Sequence, residues 1–326
     1  MLKLSTGDYQ TAERMTAKLR VVPIPAVLDG LTVLDVGCDH GAFCWLAADR
    51  GASRVVGVDR GRNVRGAGFV DLAARNRVAG LDDYPQCEFH RMELGAQYHQ
   101  LGRFDLVLML NCYHHAYQAT GGDHSALWFW LWRHTRGELL WENPVSLEDP
   151  VAAQHVTFAY RETQIREAAE QWFDIEVIGR GHVATRVVWR CTPKPVAPTQ
   201  FRGVVRPGAG GASKAFAYRG GRRIGELEDI LGIRAYPGSL NVHLETPFDW
   251  ERAYYRSRVL DVVDRAKGLE GEWLPRSVRL YPVAIGGTET YVFRFEGESY
   301  PERFVELVAG ERLRDLIPGP TIELEH

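Results

Sequence analysis

The sequence predicts an α/β chain carrying a second, β-rich piece. A parallel sheet with helices on both faces is expected over 1–191, a linker over 192–200, and a small β-barrel or sandwich over 201–323. Three observations predict this. Strand-like and helical runs alternate through the first part. One strand ends in a glycine turn, LDVGCDHG (34–41), and the next ends in an acid, RVVGVD (54–59). Then TPKPVAPTQ (192–200), with prolines at 193, 195 and 198, interrupts the pattern as a stiff extended connection.

In order, the strand-like runs of the first part are LTVLDV (31–36), RVVGVD (54–59), CEFHRM (87–92), FDLVLML (104–110) and GELLWE (137–142). Helical patterns fall between them, as in GAFCWLAADR (41–50) and VRGAGFVDLAARNRVA (64–79). A helix near 162–172 leads into FDIEVIG and ATRVVWRCT, a terminal hairpin that adds an antiparallel strand at or near the sheet edge. Beyond the linker, glycines crowd 203–232, and the short runs SLNVHL, SVRLYPVA and TYVFRF read as strands. Helical segments are expected at 250–266 and 301–315, and Leu324-Glu325-His326 is set aside as a tag remnant.

The 326 residues, 45% hydrophobic and 25% charged, supply two ordinary cores. A net charge of -3 gives no global attraction to nucleic acid. No apolar run is long enough to span a bilayer, and MLKLSTGDYQTAERM has no secretory apolar core. The cysteines at 38, 44, 87, 112 and 191 form no CxxC pair, which fits reduced thiols in a cytoplasm.

In LDVGCDHG, Gly37 and Gly41 allow backbone to approach a ligand closely where a strand turns into a helix. Asp59 ends the second strand, where an acid accepts ribose hydroxyls. The spacing is G-x-x-x-G, so the dinucleotide fingerprint is not met. LDVGCDHG followed by VVGVD resembles motifs I and II of class I S-adenosylmethionine (SAM) methyltransferases, over roughly residues 8–191. The resemblance implies a Rossmann-like methyltransferase sheet in which Asp35, Gly37, Cys38, Gly41 and Asp59 hold SAM. It places Met92 or Glu93 beside the adenine and, from FDLVLMLNCYHH, Asn111 beside the sulfonium. GDYQTAER resembles the leading helix of small-molecule and transfer-RNA wobble-uridine modifying members, in which Tyr9 and Arg14 would close over SAM.

Methyl transfer is an in-line displacement that depends chiefly on positioning. An oxygen or nitrogen acceptor also needs a base. Tyr113, His114, His115 and His124 follow the fourth strand, and imidazole titrates in the right range. Adjacent histidines are expected to point apart, one packed and one at the cleft, with His115 favoured over His114. His114, His115, Asp123 and His124 have metal-ligand chemistry at a spacing that matches no closed site. WFWLWR (128–133) reads as a buried helix face, and Glu142 as a cleft-side acid.

Residues 201–225 carry Arg202, Arg206, Lys214, Arg219, Arg222 and Arg223 and no acid. The enclosed GAGGASKAF can form a backbone nest for phosphate. With LGIRAYPGSLNVHL and FVELVAGERLRDLI it resembles the archaeal CTP-dependent riboflavin kinases over about 202–323. The resemblance implies a cradle-loop β-barrel in which Gly208, Gly210, Gly211, Ala212 and Lys214 bind the nucleotide phosphates. Ser239 and Asn241 would ligate Mg²⁺ through hard oxygen atoms. Glu306 would orient the acceptor hydroxyl. The chain departs from that family's pattern at Ala235, Tyr300 and Pro318-Gly319-Pro320, which bears on the flavin pocket.

Together these imply a bifunctional enzyme acting on a small metabolite, with SAM and with CTP and Mg²⁺ as co-reactants. A barrel that only binds a nucleotide or phosphorylated substrate, and an RNA acceptor, are the alternatives.

Overall fold

The computed structural model describes residues 16–39, 41–59, 84–92, 101–120, 122–144, 160–181, 186–195, 199–207, 239–252, 254–263, 272–297, 301–309, 312–317 and 319–325. The chain divides into two compact units between Pro195 and Val196.

The first unit is built on β1 (Thr32–Val36), β2 (Arg54–Asp59), β3 (Cys87–Arg91), β4 (Phe104–Leu110), β5 (Thr135–Pro144), β6 (Phe173–Arg180) and β7 (Arg186–Pro193). Their order across the sheet is β3-β2-β1-β4-β5-β7-β6. β1 to β5 run parallel, and β7 enters antiparallel between β5 and β6. Helix α1 (Ala42–Asp49) covers one face, where its Cys44, Leu46 and Ala47 join Val33, Val55, Leu106, Leu108 and Leu140 in one core. On the other face lie α2 (Tyr113–Ala119), α3 (His124–His134) and α4 (Glu162–Glu170). There Trp128 of α3 packs on Trp141 and Trp189, and all three are buried. WFWLWR is thus largely a buried helix face, with Trp128, Phe129, Trp130 and Leu131 inside. With both faces covered, strands read as the near-continuous apolar runs seen at VVGV and LVLML.

The order puts a topological switch between β1 and β4. The chain leaves β1 toward β2 and β3, then returns on the other side through β4 and β5. Connections after neighbouring strands diverge there and leave a crevice at the carboxyl ends.

The second unit has β8 (Gln200–Arg206), β9 (Leu240–Leu244), β10 (Tyr255–Val263), β11 (Glu272–Ile285), β12 (Thr288–Phe295), β13 (Phe304–Ala309) and β14 (Thr321–Glu325). The order is β10-β11-β12-β13-β9-β8-β14, and β14 also pairs with β11 at Ala284↔Glu325. That last pairing closes β11, β12, β13, β9, β8 and β14 into an antiparallel ring, with β10 alongside β11 outside it. Val242, Leu244, Tyr281, Val292, Val305 and Leu307 are buried on one side of the paired strands.

Four expectations need correction. The segment 250–266 holds a strand rather than a helix. All nine residues of β10, rich in valine and leucine, pair with β11. Most of 301–315 is likewise extended: β13 pairs with β12 and β9, and only α5 (Leu313–Leu316) is helical. In both segments tertiary strand pairing outweighs local helical spacing. The first part of the linker is structured, with Thr192 and Pro193 paired to Asp174 and Phe173 in β6. Lys194 also donates its main-chain N–H to Trp172 O at 2.8 Å. Finally, Leu324 and Glu325 belong to β14, and Leu324 is fully buried, so they are part of the fold. The helical pattern at 64–79 lies outside the described residues.

Candidate functional sites

The crevice of the first unit is lined by the ends of β1, β2 and β4. Gly37 turns the chain at φ 74° and Gly41 caps α1 at φ 74°, with Asp39 between them at φ 47°. The Gly37 and Cys38 N–H groups donate to Val58 O at 2.8 and 3.1 Å, which ties the loop to β2. Side chains are excluded at these two glycines. A Cβ at Gly37 would stand 2.7 Å from Cys112 Cβ, and one at Gly41 2.8 Å from Phe89 Cε1. Asp59 ends β2 and accepts the Asp39 N–H at 3.2 Å through Oδ2. Met92 follows β3 and donates its N–H to Asp59 O at 2.9 Å.

Asn111 follows β4 with φ 63°, a left-handed conformation that asparagine tolerates and that recurs at working sites. Its N–H donates to Glu142 O at 2.5 Å. Its side-chain Oδ1 is buried without a hydrogen-bond partner among the described residues. Buried polar atoms are rarely left unsatisfied, so this oxygen has acceptor capacity to spare among the described residues. Beside it, the Cys112 thiol donates to Val36 O at 2.9 Å and bridges the ends of β4 and β1.

Asp35 is buried under this loop. Burial lifts its carboxyl to about 7, against the opposing pull of the Cys44 thiol and the Lys18 ammonium. Burial also raises the Cys38 thiol to about 11, and those of Cys44 and Cys112 upward as well. These thiols stay protonated and inert at neutral pH.

A charge cluster that sequence reasoning missed sits at the end of β5. Glu142, with a fully buried side chain, has Lys18 Nζ 3.3 Å from Oε2 and Arg186 3.9 Å from Oε1. The two cations are themselves only 13% and 5% exposed. Glu142 was legible as a cleft-side acid, but its partners lie far away in the sequence. The nearest local signal is Gly181, where a Cβ would stand 2.6 Å from Glu142 Oε1.

The histidines divide differently from expectation. His114 is buried and His115 half-buried, yet their rings do not point apart: the centroids are 4.0 Å from each other. On a helix consecutive side chains are separated by only about 100°, which lets two rings meet. His124 is engaged elsewhere, with Nδ1 2.6 Å from the buried Tyr113 hydroxyl and its ring stacked on Tyr117. Burial depresses its pKa to about 4, so it is neutral at physiological pH. Asp123 caps α3, accepting the Ala126 N–H at 2.9 Å. Among the described residues no three His, Cys, Asp or Glu side chains gather as metal ligands.

In the second unit, Asn241 on β9 is registered opposite Glu306 on β13. The Ser239 hydroxyl donates a hydrogen bond to Glu306 Oε1. The strands thereby bring a hydroxyl, an amide and a carboxylate together from positions 239, 241 and 306. Tyr9, Arg14, Glu93, Gly208, Gly210, Gly211, Ala212 and Lys214 lie outside the described residues.

A model of the CTP-dependent riboflavin kinase family, described as a domain of unknown function, DUF120, matches residues 211–320. The chain is similar to the tRNA U34 carboxymethyltransferase of Marinobacter nauticus, 35% identical over 101 residues, which are 28% of this chain and 30% of that protein. It is also similar to the riboflavin kinase of Methanocella arvoryzae, 32% identical over 116 residues, 35% of this chain and 50% of that protein. The chain thus spans half or less of these relatives' lengths. Among solved structures, a putative S-adenosylmethionine-dependent methyltransferase from Listeria monocytogenes covers 56% of this chain and all of its own, at 14% identity and TM-score 0.41. An O-methyltransferase family protein from Burkholderia thailandensis covers 57% of this chain and 58% of its own, at 16% identity and TM-score 0.41.

Proposed function

We propose that this chain is a bifunctional enzyme: a SAM-dependent methyltransferase unit followed by a unit that transfers phosphoryl from CTP, with Mg²⁺, to a metabolite hydroxyl. The observation that carries the first activity is the switch-point crevice, where the glycine turn at Gly37 and Gly41, the Asp59 carboxylate and the unsatisfied Asn111 Oδ1 come together. SAM would supply an electrophilic methyl on a sulfonium. Around it, Asp59 would take the ribose hydroxyls and the glycine loop would lie against the amino-acid portion. Met92 would flank the adenine, and Asn111 Oδ1 would face the reacting end. His115, half-buried where His114 is buried, would be the one of the adjacent pair to take a proton from an acceptor.

The second activity rests on the Ser239–Glu306 bond beside Asn241, together with the family match over 211–320. Ser239 and Asn241 offer oxygen ligands of the kind Mg²⁺ takes alongside phosphates and water. Glu306 would orient the acceptor hydroxyl. Positioning and charge neutralisation then supply most of the rate.

Calorimetry tests the first unit: SAM should bind the wild-type chain and fail to bind Asp59→Ala, and equal affinities would remove the reading. For the second, CTP consumption with Mg²⁺ in a metabolite mixture should vanish in Ser239→Ala. Turnover that survives the substitution would sink that assignment.

A second reading concerns the group transferred. Lys18 and Arg186 both approach Glu142 near the end of β5, whose carbonyl accepts the Asn111 N–H, so two cations stand near Asn111. Such cations suit a transferred group bearing a carboxylate, as in the carboxymethyl transfer named for the Marinobacter relative. Mass spectrometry of ligands carried through purification distinguishes the donors.

A further inference from the structure

Arg206 ends β8, two residues before the glycine-rich sequence GAGGASKAF and outside the residues that the kinase family model matches. Strand register aligns it with the candidate phosphotransfer site. Arg206 is the Cα partner of Asn241, and Asn241 is the partner of Glu306, so the three form one row across β8, β9 and β13. Residues in register on paired strands share a face of the sheet. One position back, Val205 partners the fully buried Val242, which in turn partners the fully buried Val305. Pleating therefore turns Arg206, Asn241 and Glu306 to the opposite side. Neighbouring strands lie about 4.8 Å apart, so Arg206 and Glu306 flank Asn241 from two sides within roughly 10 Å.

The charge pattern along β8 separates Arg206 from the other arginine of the strand. Arg202 is spent on an ion pair, 2.9 Å from Glu323 on the neighbouring β14. Arg206 is exposed, and its side chain has no hydrogen bond or ion pair among the described residues. The row thus reads cation, amide, carboxylate, with the Ser239 hydroxyl on the carboxylate. An unspent guanidinium in one row with hydroxyl and amide oxygens matches a polyphosphate. Its planar fork binds two phosphate oxygens at once.

We propose that Arg206 is a phosphate-contacting residue of the second unit, gripping the polyphosphate of the nucleotide on the side of Asn241 opposite Glu306. The proposal rests on the reading of this unit as nucleotide-binding. It adds a residue that contacts the nucleotide directly and is supplied from ahead of the matched family segment.

The test uses the full chain and calorimetric titration with CTP in excess Mg²⁺, repeated with inorganic tripolyphosphate to remove any contribution from the base. Arg206→Gln should weaken both ligands about tenfold or more, whereas Arg202→Gln, which removes the same formal charge, should stay within about twofold. Arg206→Lys should recover part of the loss, because charge returns without the fork. Raising ionic strength should weaken wild type more steeply than Arg206→Gln. Binding that is lost in Ser239→Ala yet unchanged in Arg206→Gln overturns the inference and leaves the nucleotide-binding reading standing. Equal losses in Arg202→Gln and Arg206→Gln also overturn it, since a diffuse field would then suffice. Failure of wild type to bind either ligand removes the nucleotide-binding reading, and the inference with it.

Discussion

Gly37→Ala offers a sharp test of the crevice. Two separate costs can be worked from the geometry. An alanine at φ 74° carries the left-handed penalty of about 1–2 kcal/mol. Its Cβ would also stand 2.7 Å from Cys112 Cβ and 2.8 Å from Cys112 Sγ, and relieving such overpacking typically costs about 1–3 kcal/mol. The expected loss is therefore about 2–5 kcal/mol from the stability of the first unit. Cys112 must retreat, disturbing its 2.9 Å bond to Val36 O and moving the adjoining Asn111, so affinity for S-adenosylhomocysteine should fall in parallel. The assay is urea unfolding followed by tryptophan fluorescence, with each unit's transition fitted separately because a two-unit chain need not unfold in one step. A double-mutant cycle divides the terms. In a Cys112→Gly background the steric part disappears, and the cost of Gly37→Ala should drop to the backbone part, about 1–2 kcal/mol. An equal cost in both backgrounds, or a total below about 0.5 kcal/mol, would refute the reasoning.

Three further outcomes are expected. Asp35 has a folded pKa of about 7, well above its ordinary value, so its contribution to stability is fully present at acid pH, below the unfolded pKa, and is lost as pH rises through 7. Unfolding free energy of the ligand-free first unit should fall by on the order of 4 kcal/mol from this group between pH 4 and pH 8, and Asp35→Asn should flatten that slope. Glu142→Ala leaves Lys18 and Arg186 buried without their shared carboxylate and should cost about 3–5 kcal/mol by the same unfolding assay. His124, held down to about 4, should show no imidazole titration by NMR between pH 5 and 8, whereas Tyr113→Phe, which removes the hydroxyl at Nδ1, should change its ring chemical shifts.

Much of the first sheet was legible because its signals are local. The runs 31–36, 54–59 and 104–110 are apolar stretches bounded by turn residues, and both glycines of LDVGCDHG stand at φ values that favour glycine. The strands at 255–263 and 304–309 were misread because their helical spacing is local, whereas the partners that make them strands are distant. The Lys18–Glu142–Arg186 cluster left almost no local trace, since each charge taken alone looks like an ordinary surface residue. Arg206 was visible only as one of several basic residues, and its distinction from Arg202 depends on which neighbour strand lies alongside.

The amino-acid sequence by itself determined the alternation of elements, the glycine turn with its second-strand acid, and the hydroxyl–amide pair at Ser239 and Asn241. Each depends on backbone conformations or side-chain chemistry within a few residues. Only the tertiary structure decided that Ser239 bonds Glu306, that Cys112 bridges β4 to β1, that Glu142 lies between two cations, and that β14 closes the barrel onto β11. Those contacts join residues far apart in the chain. Their loop-closure entropy is overcome only when the rest of the core forms with them.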